Sequence, residues 1–351
     1  MNTLFNQYQA LKAEQPTIRA VDAALKLNTT EAQLVAAQVG TNAIKLDINH
    51  IESILKGLKK LEHVMAMTRN ELVINEIKGC YEKLYTSERN EQKMAIAINP
   101  GGIDLRLFLY KWASVFAVKL NNMVSIQCFD KYGQAVHKIF STEQTNLAAY
   151  EALINKYSDC EQSNVLAIEP KIVQALTFKP QENIDVADFL NAWENLQDVH
   201  HFPALLTKFD VCRTQALEIA QPHWAQEILP ISLPYIFETL KKQQNEVMIF
   251  VNNDAAVQIY SGTLNNLKQV GPWYNVLDEG FNLHVRSDDF ARAFVVKKPT
   301  DNGDVVVHSI EFFDSLGNTV LTLFGRRTEG NKQSNKWITL CEQLWQQRLV
   351  A

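Results

Sequence analysis

Two histidines and one arginine offer this chain its best chance of chemistry. In DFLNAWENLQDVHHFPALL (188–206), Phe189, Trp193, Leu196 and His200 follow one another at spacings of four, three and four. A helix running that far would put the His200 imidazole in line with an aromatic and apolar face. His201 would point about 100° away, so the two rings cannot share one ligand role. Pro203 suits the first position of a new helix, which leaves both histidines at a helix junction. An imidazole at such a junction, beside aromatics, can serve as the axial ligand of a flat cofactor. It can equally be a half-buried histidine bonded to a backbone carbonyl. The arginine is Arg106, set between Leu105 and Leu107 in a strand-like run. A guanidinium there needs an anionic or polar partner, either a ligand or a structural carboxylate.

Other chemistries find no footing. GGIDLR (101–106) is neither a dinucleotide fingerprint nor a phosphate loop, and HExxH and GxSxG are absent. None of the eight histidines is spaced from another as in a zinc site. The five cysteines are scattered, odd in number and without CxxC, which predicts a reducing cytoplasm. A formal charge of -5 gives no electrostatic support for nucleic-acid binding. No apolar run approaches the roughly 18 residues of a membrane span. MNTLFNQYQALKAEQP lacks the pattern of a secretion signal, and Leu4, Tyr8 and Leu11 share a helical face instead.

The elements that must position these residues come in two copies. SIQCFDKYGQAVHKIF (125–140) aligns without a gap on SIEFFDSLGNTVLTLF (309–324), with seven identities in sixteen positions. Both alternate apolar and polar residues about a turn closed by glycine, Gly133 or Gly317, which reads as a hairpin. Upstream, 64–79 lies over 247–262, turning at Arg69-Asn70-Glu71 and Asn252-Asn253-Asp254. Residues 103–118 lie over 281–296, and KLNTTEAQL (26–34) over KFDVCRTQA (208–216), each with a polar N-cap candidate. Each half therefore reads helices first, antiparallel strand pairs next, and a last helix at 144–156 or about 331–349. Without βαβ alternation the class is α+β: a tandem repeat with two large antiparallel sheets, flanking helices and a pseudo-two-fold relation. The expected organisation is an N-terminal repeat at 1–160, a connector at 161–182 and a C-terminal repeat at 183–351. The groove between the sheets is the expected ligand site.

The duplication breaks at both candidate residues. His200 falls on Ile18, and Arg106 falls on His284. At these positions the shared frame carries different chemistry in its two copies.

NPGGIDLRLFLYKWASVFAV (99–118), the RNE turn at 69–71, DVHHF (198–202), KKPT (297–300) and FGRRTEG (324–330) together resemble the cytoplasmic hemin-degrading and hemin-transport factors of the HemS, HmuS and ChuS type. The resemblance runs in order over nearly the whole chain. It implies haem b as ligand or substrate, bound at the face between the halves. His200 would be the axial ligand, with His201 as the alternative, and Arg106 the distal, catalytic hydrogen-bond donor. Arg213, Lys298 and Arg327 match the family's basic residues toward the haem propionates. Asn75 stands where some members carry a second histidine, Thr322 and Phe324 where many have Gln and Tyr, and Pro203 where an aromatic is usual. The implied function is intracellular: accepting imported haem and trafficking or degrading it to release iron. Haem is the expected partner, with a haem importer or a reductase beside it, since no flavin or nicotinamide motif is present. The expected state is monomer or dimer. A non-enzymatic duplicated scaffold, binding a protein or another anionic planar ligand, is the competing reading.

Overall fold

The computed structural model describes residues 3–173, 176–327 and 332–347. Its element order repeats. The first half runs α1 (Thr3–Glu14), α2 (Ala20–Lys26), α3 (Glu31–Ala36), β1 (Ala43–Leu46), α4 (Ile51–Gly57), β2 (Glu62–Arg69), β3 (Val73–Gly79), β4 (Leu84–Arg89), β5 (Gln92–Ala97), β6 (Asp104–Leu107), β7 (Trp112–Leu120), β8 (Met123–Asp130), β9 (Ala135–Thr145) and α5 (Leu147–Tyr157). The second runs α6 (Val186–Glu194), α7 (Phe202–Phe209), α8 (Arg213–Ile219), β10 (Ala225–Ile228), α9 (Leu233–Gln243), β11 (Val247–Asn252), β12 (Ala256–Gly262), β13 (Leu267–Val270), β14 (Trp273–Asp278), β15 (Phe281–Val285), β16 (Arg292–Thr300), β17 (Val305–Phe313), β18 (Thr319–Gly325) and α10 (Asn335–Gln346).

The chain divides into two compact units. The first comprises 1–69, 75–172 and 252–258; the second comprises 70–74, 173–251 and 259–351. In the first unit β1, β7, β8, β9 and β2 form one antiparallel ladder, and β4, β5 and β6 another. In the second, β10, β16, β17, β18 and β11 repeat the first ladder, and β13, β14 and β15 add three strands. The α+β class with two large antiparallel sheets is thus what the sequence pattern leads to. β8 and β17, central in their ladders, are buried along nearly their whole length. Such strands cannot show a clean inside–outside alternation.

The repeated DxxG turns form as their residues require. Asp130 Oδ1 accepts from the amides of Tyr132 (3.0 Å) and Gln134 (2.8 Å), and Asp314 Oδ1 from those of Leu316 (2.9 Å) and Asn318 (2.8 Å). Gly133 and Gly317 sit at φ +76° and +86°, where a side chain is strained. The exchanged segments are held by matched asparagines. In the first unit Asn253 Oδ1 takes the amides of Ala255 and Ala256, while its Nδ2 donates to the carbonyls of Arg69 and Val136. In the second, Asn70 Oδ1 takes those of Leu72 and Val73 and its Nδ2 donates to Val320. Val136 and Val320 are equivalent positions of the repeat.

Between Tyr157 and Gln181 the described residues form no helix or strand. The segment is nonetheless tied at both ends. The amide of Glu169 donates to Lys131 in the first DxxG turn (2.9 Å), and that of Leu176 to Leu316 in the second (3.4 Å). No described helix is long and apolar enough to cross a membrane.

Candidate functional site

The helix beneath His200 is shorter than its apolar spacing suggests. α6 is capped at Asp185, buries Phe189 and Trp193, and stops at Glu194. Asp198 then caps a single 3-10 turn, Val199–His201, by accepting from the amide of His200 at 2.8 Å. The expectation that His200 continues the apolar face is therefore corrected. Its side chain is 84% exposed, because the new turn started by Asp198 rotates it away from Trp193. Pro203 lies in the first turn of α7, as its missing N–H favours. His201 is exposed as well. The next residue, Phe202, returns to the core at 1% exposure and packs edge-on against Trp193 with ring centroids 4.6 Å apart.

His200 is oriented from behind. Its Nδ1 lies 2.6 Å from Asp198 Oδ1. A carboxylate on Nδ1 fixes the tautomer with the proton there and leaves Nε2 as an outward-facing lone-pair donor. The His200 amide and ring lower the pKa of Asp198, the backbone hydrogen bond more than the side chain.

Behind Phe202 lies a buried ion cluster. Arg213 Nε and Nη2 clasp Glu311 Oε2 and Oε1 at 2.6 and 2.8 Å, and Lys298 Nζ meets Oε1 at 2.8 Å and Ser309 Oγ at 3.4 Å. Glu311 is fully buried, Lys298 is 3% exposed in its side chain and Arg213 28%. Burial alone would raise the Glu311 carboxyl, but Arg213 and Lys298 outweigh it and hold it well below the usual range. Burial pushes Lys298 down to about 8 despite Glu311. The Arg213 guanidinium sits 5.0 Å from the Phe202 ring centroid and Lys298 Nζ 4.8 Å from it. One aromatic side chain thus joins the His200 turn to both cations.

The first unit carries a counterpart of opposite polarity. Glu31, equivalent to Arg213, is held by Arg69 and Lys138. There the helix start is built by the rules: Thr30 and Gln33 form a capping box and an acidic residue occupies the first turn. At α8 the cap is Cys212, which makes no side-chain cap bond, and a cation stands at the positive end of the helix. The second copy keeps Arg213 against the local preference of its helix, which marks the residue for another role.

Arg106 lies in the first unit, on β6. Its Nη1 makes all of its hydrogen bonds among the described residues, to Asp104 Oδ1 (2.5 Å) and to the carbonyls of Leu105 (3.0 Å) and Ala97 (3.3 Å). Nε and Nη2 remain available, and a third of the side chain is exposed. Asp104 is therefore the anionic partner that this strand position calls for. Asn75 is completely buried and paired with Gln258, its equivalent in the repeat, whose Nε2 reaches Asn75 Oδ1 at 3.1 Å. Thr322 is buried, and Phe324 packs on Phe250 with centroids 5.2 Å apart. Arg327 is exposed just past β18, and residues 328–330 of the FGRRTEG motif lie outside the described residues.

Two members of this site escaped the sequence reading, Asp198 and Glu311. Each left a signal: a carboxylate two residues before the histidine, and an acid at 311 where the first copy has Gln127.

Comparison with known proteins gives this geometry a context. The model of the haemin-degrading HemS.ChuX domain matches twice, at residues 28–157 and 210–344. The hemin transport protein HmuS of Yersinia pestis is 33% identical over 339 residues, covering 95% of both chains. The crystal structure of apo-PhuS, a heme-binding protein from Pseudomonas aeruginosa, is 38% identical with a TM-score of 0.92 over 98% of both chains. That of ChuS, an E. coli heme oxygenase, is 30% identical with a TM-score of 0.85, covering 98% of this chain and 99% of that one. Two matches to one domain model, in register with the internal repeat, and relatives alike along their full length place this chain in the haemin-degrading HemS.ChuX family.

Proposed function

We propose that this protein binds haem through His200, accepting it in the cytoplasm and trafficking it or supporting its degradation. The observation that carries the reading is the exposed His200 imidazole, locked by Asp198 at Nδ1 with Nε2 outward. Haem iron would need a donor from the protein, and an imidazole oriented by a carboxylate, as His200 is by Asp198, would suit it. Among the described residues no three His, Cys, Asp or Glu side chains gather to hold a bare metal ion. Haem carries a negatively charged propionate edge, and Arg213, whose Nη1 has no hydrogen bond among the described residues, is the cation suited to meet it. Lys298, almost wholly buried, supports Arg213 from behind through Glu311. Arg327 is the further cation of the set. The five free cysteines accord with a reducing compartment.

The chain's own residues then have definite tasks. Asp198 holds the His200 tautomer, and Phe202 fixes the turn to the core. Arg106 has N–H groups at Nε and Nη2 to donate toward an oxygen-rich ligand. Haem supplies the redox chemistry of ring opening when electrons are available, and those electrons come from a partner reductase or a diffusible reductant.

Titration of the apo-protein with hemin, followed at the Soret band, tests the reading. Saturable one-to-one binding, weakened in His200→Ala and retained in His201→Ala, is expected. No Soret change at micromolar hemin would sink it and leave the scaffold reading in place. Ascorbate in air with catalase separates the two roles: loss of the haem spectrum marks a degrading enzyme, and a stable spectrum marks a carrier.

A further inference from the structure

The same core positions hold different chemistry in the two units. In the first, five side chains cluster inside: Thr68 (1% exposed) on β2, Tyr81 (2%) just after β3, Trp112 (7%) opening β7, Cys128 (0%) on β8 and His137 (1%) on β9. Tyr81 Oη lies 2.6 Å from His137 Nε2, and Thr68 Oγ1 2.9 Å from His137 Nδ1. Cys128 stands directly opposite His137 in the β8–β9 ladder. The Trp112 and Tyr81 rings each have centroids 6.4 Å from that of the imidazole.

The repeat supplies the control. The equivalent residues in the second copy are Val251, Leu264, Phe290, Phe312 and Leu321, all buried. The frame therefore closes well with five apolar side chains. Placing a phenol, an imidazole and a hydroxyl there instead puts polar groups at risk of about 1–3 kcal/mol each if any bond is lost. The first copy carries that risk for something other than packing.

The hydrogen bonds fix the protonation. Burial pushes His137 down to about 3, against a hydrogen bond that the ring donates to the Met67 backbone carbonyl, so the ring is neutral. The Tyr81 hydroxyl donates to Nε2, and the ring proton sits on Nδ1. Burial also raises the Cys128 thiol, keeping it protonated.

We propose that Tyr81 and His137 form a buried redox couple that takes up and returns one oxidising equivalent. A strong one-electron oxidant removes an electron from the Tyr81 phenol while the hydroxyl proton moves along the 2.6 Å hydrogen bond to His137 Nε2. The products are a neutral phenoxyl radical and an imidazolium. A diffusible one-electron reductant of the ascorbate (enediol) class gives an electron to the phenoxyl radical and restores the phenol as the proton returns from His137 Nε2 to the Tyr81 oxygen. Cys128 and Trp112 extend the set of oxidisable side chains around the pair. Oxidants of this strength arise when iron porphyrins meet peroxide; that supply rests on the haem reading, whereas the couple itself does not.

The test needs no haem. The full-length apo-protein is oxidised by photogenerated tris(bipyridine)ruthenium(III), and the radical is read by electron paramagnetic resonance and transient absorption in H2O and D2O. A D2O-sensitive phenoxyl component, present in the wild type and lost in Tyr81→Phe over the background that exposed tyrosines such as Tyr85 give in both proteins, is expected. His137→Leu, which installs the residue of the other copy, keeps the phenol but slows radical formation about tenfold, the equivalent of one lost hydrogen bond. Tyr81→Leu/His137→Leu copies the second unit's pair and serves as the folded control, with unchanged circular dichroism and no such signal. Equal radical yield and equal D2O sensitivity in wild type and Tyr81→Phe would overturn the proposal.

Discussion

Replacing Glu311 with glutamine tests the buried cluster behind Phe202 at its centre. The change keeps the shape of the side chain and removes one negative charge. Arg213 and Lys298 are then left as two cations with no anion, one 28% and the other 3% exposed. Removing one partner of a buried ion pair typically costs about 3–5 kcal/mol. The partial exposure of Arg213 places Glu311→Gln near the lower end, about 3 kcal/mol. For a body of this size each kcal/mol moves the melting temperature by about 2–4 °C, so a fall of roughly 10 °C is expected at pH 7. The assay is thermal unfolding by near-ultraviolet circular dichroism. A second arm adds sodium propionate against sodium chloride at equal ionic strength. The variant, short of one carboxylate, regains part of its loss in propionate, and the wild type does not respond. A melting temperature within about 2 °C of wild type would refute the reasoning, because the two cations would then be independent of Glu311.

Three further outcomes follow from the geometry. Asp198→Asn removes the charge behind Nδ1 of His200 and weakens hemin binding about 10- to 100-fold, the range for loss of a partner that orients a metal ligand; the Soret titration reads it. Gly133→Ala costs more than Gly317→Ala in urea unfolding, because both sit at positive φ but a Cβ at Gly133 would come within 2.4 Å of Thr30 Oγ1, the N-cap oxygen of α3, whereas the closest atom at Gly317 is 3.1 Å away. Acid unfolding should carry the signature of Glu31. Burial raises its carboxyl, but Lys138 and Arg69 outweigh that and bring it from 4.5 down to about 2. A depressed folded-state value means a contribution of about 3 kcal/mol present above pH 4.5 and lost as pH falls toward 2. Glu31→Gln flattens stability against pH in that window.

The frame was legible because duplication wrote it twice. The DxxG turns, the Asn70 and Asn253 turns, the strand holding Arg106 and the closing helices all lie where the aligned copies put them. Local chemistry fixes such features: an aspartate accepting two amides, or a glycine at positive φ. The helix before His200 was overextended because apolar spacing continues through Leu196, while Asp198 offers the backbone a better-bonded turn. Periodicity cannot see that competition. The ion clusters were hidden for another reason. Arg213 and Glu311 are 98 residues apart, and only the ladder and α8 bring them together. The charge inversion between Glu31 and Arg213 was visible in the aligned repeats, but its meaning required the partners.

The exchanged turns bear on how the chain is made. The first unit includes residues 252–258, with Asn253 donating to Arg69 and Val136. A ribosome must therefore deliver the second half as far as residue 258 before the first half owns all its parts. Until then the nascent first half waits with the carbonyls of Arg69 and Val136 unanswered. Its last step of maturation comes late in synthesis, and a shortened transcript ending at the connector would yield a half that lacks its own keystone.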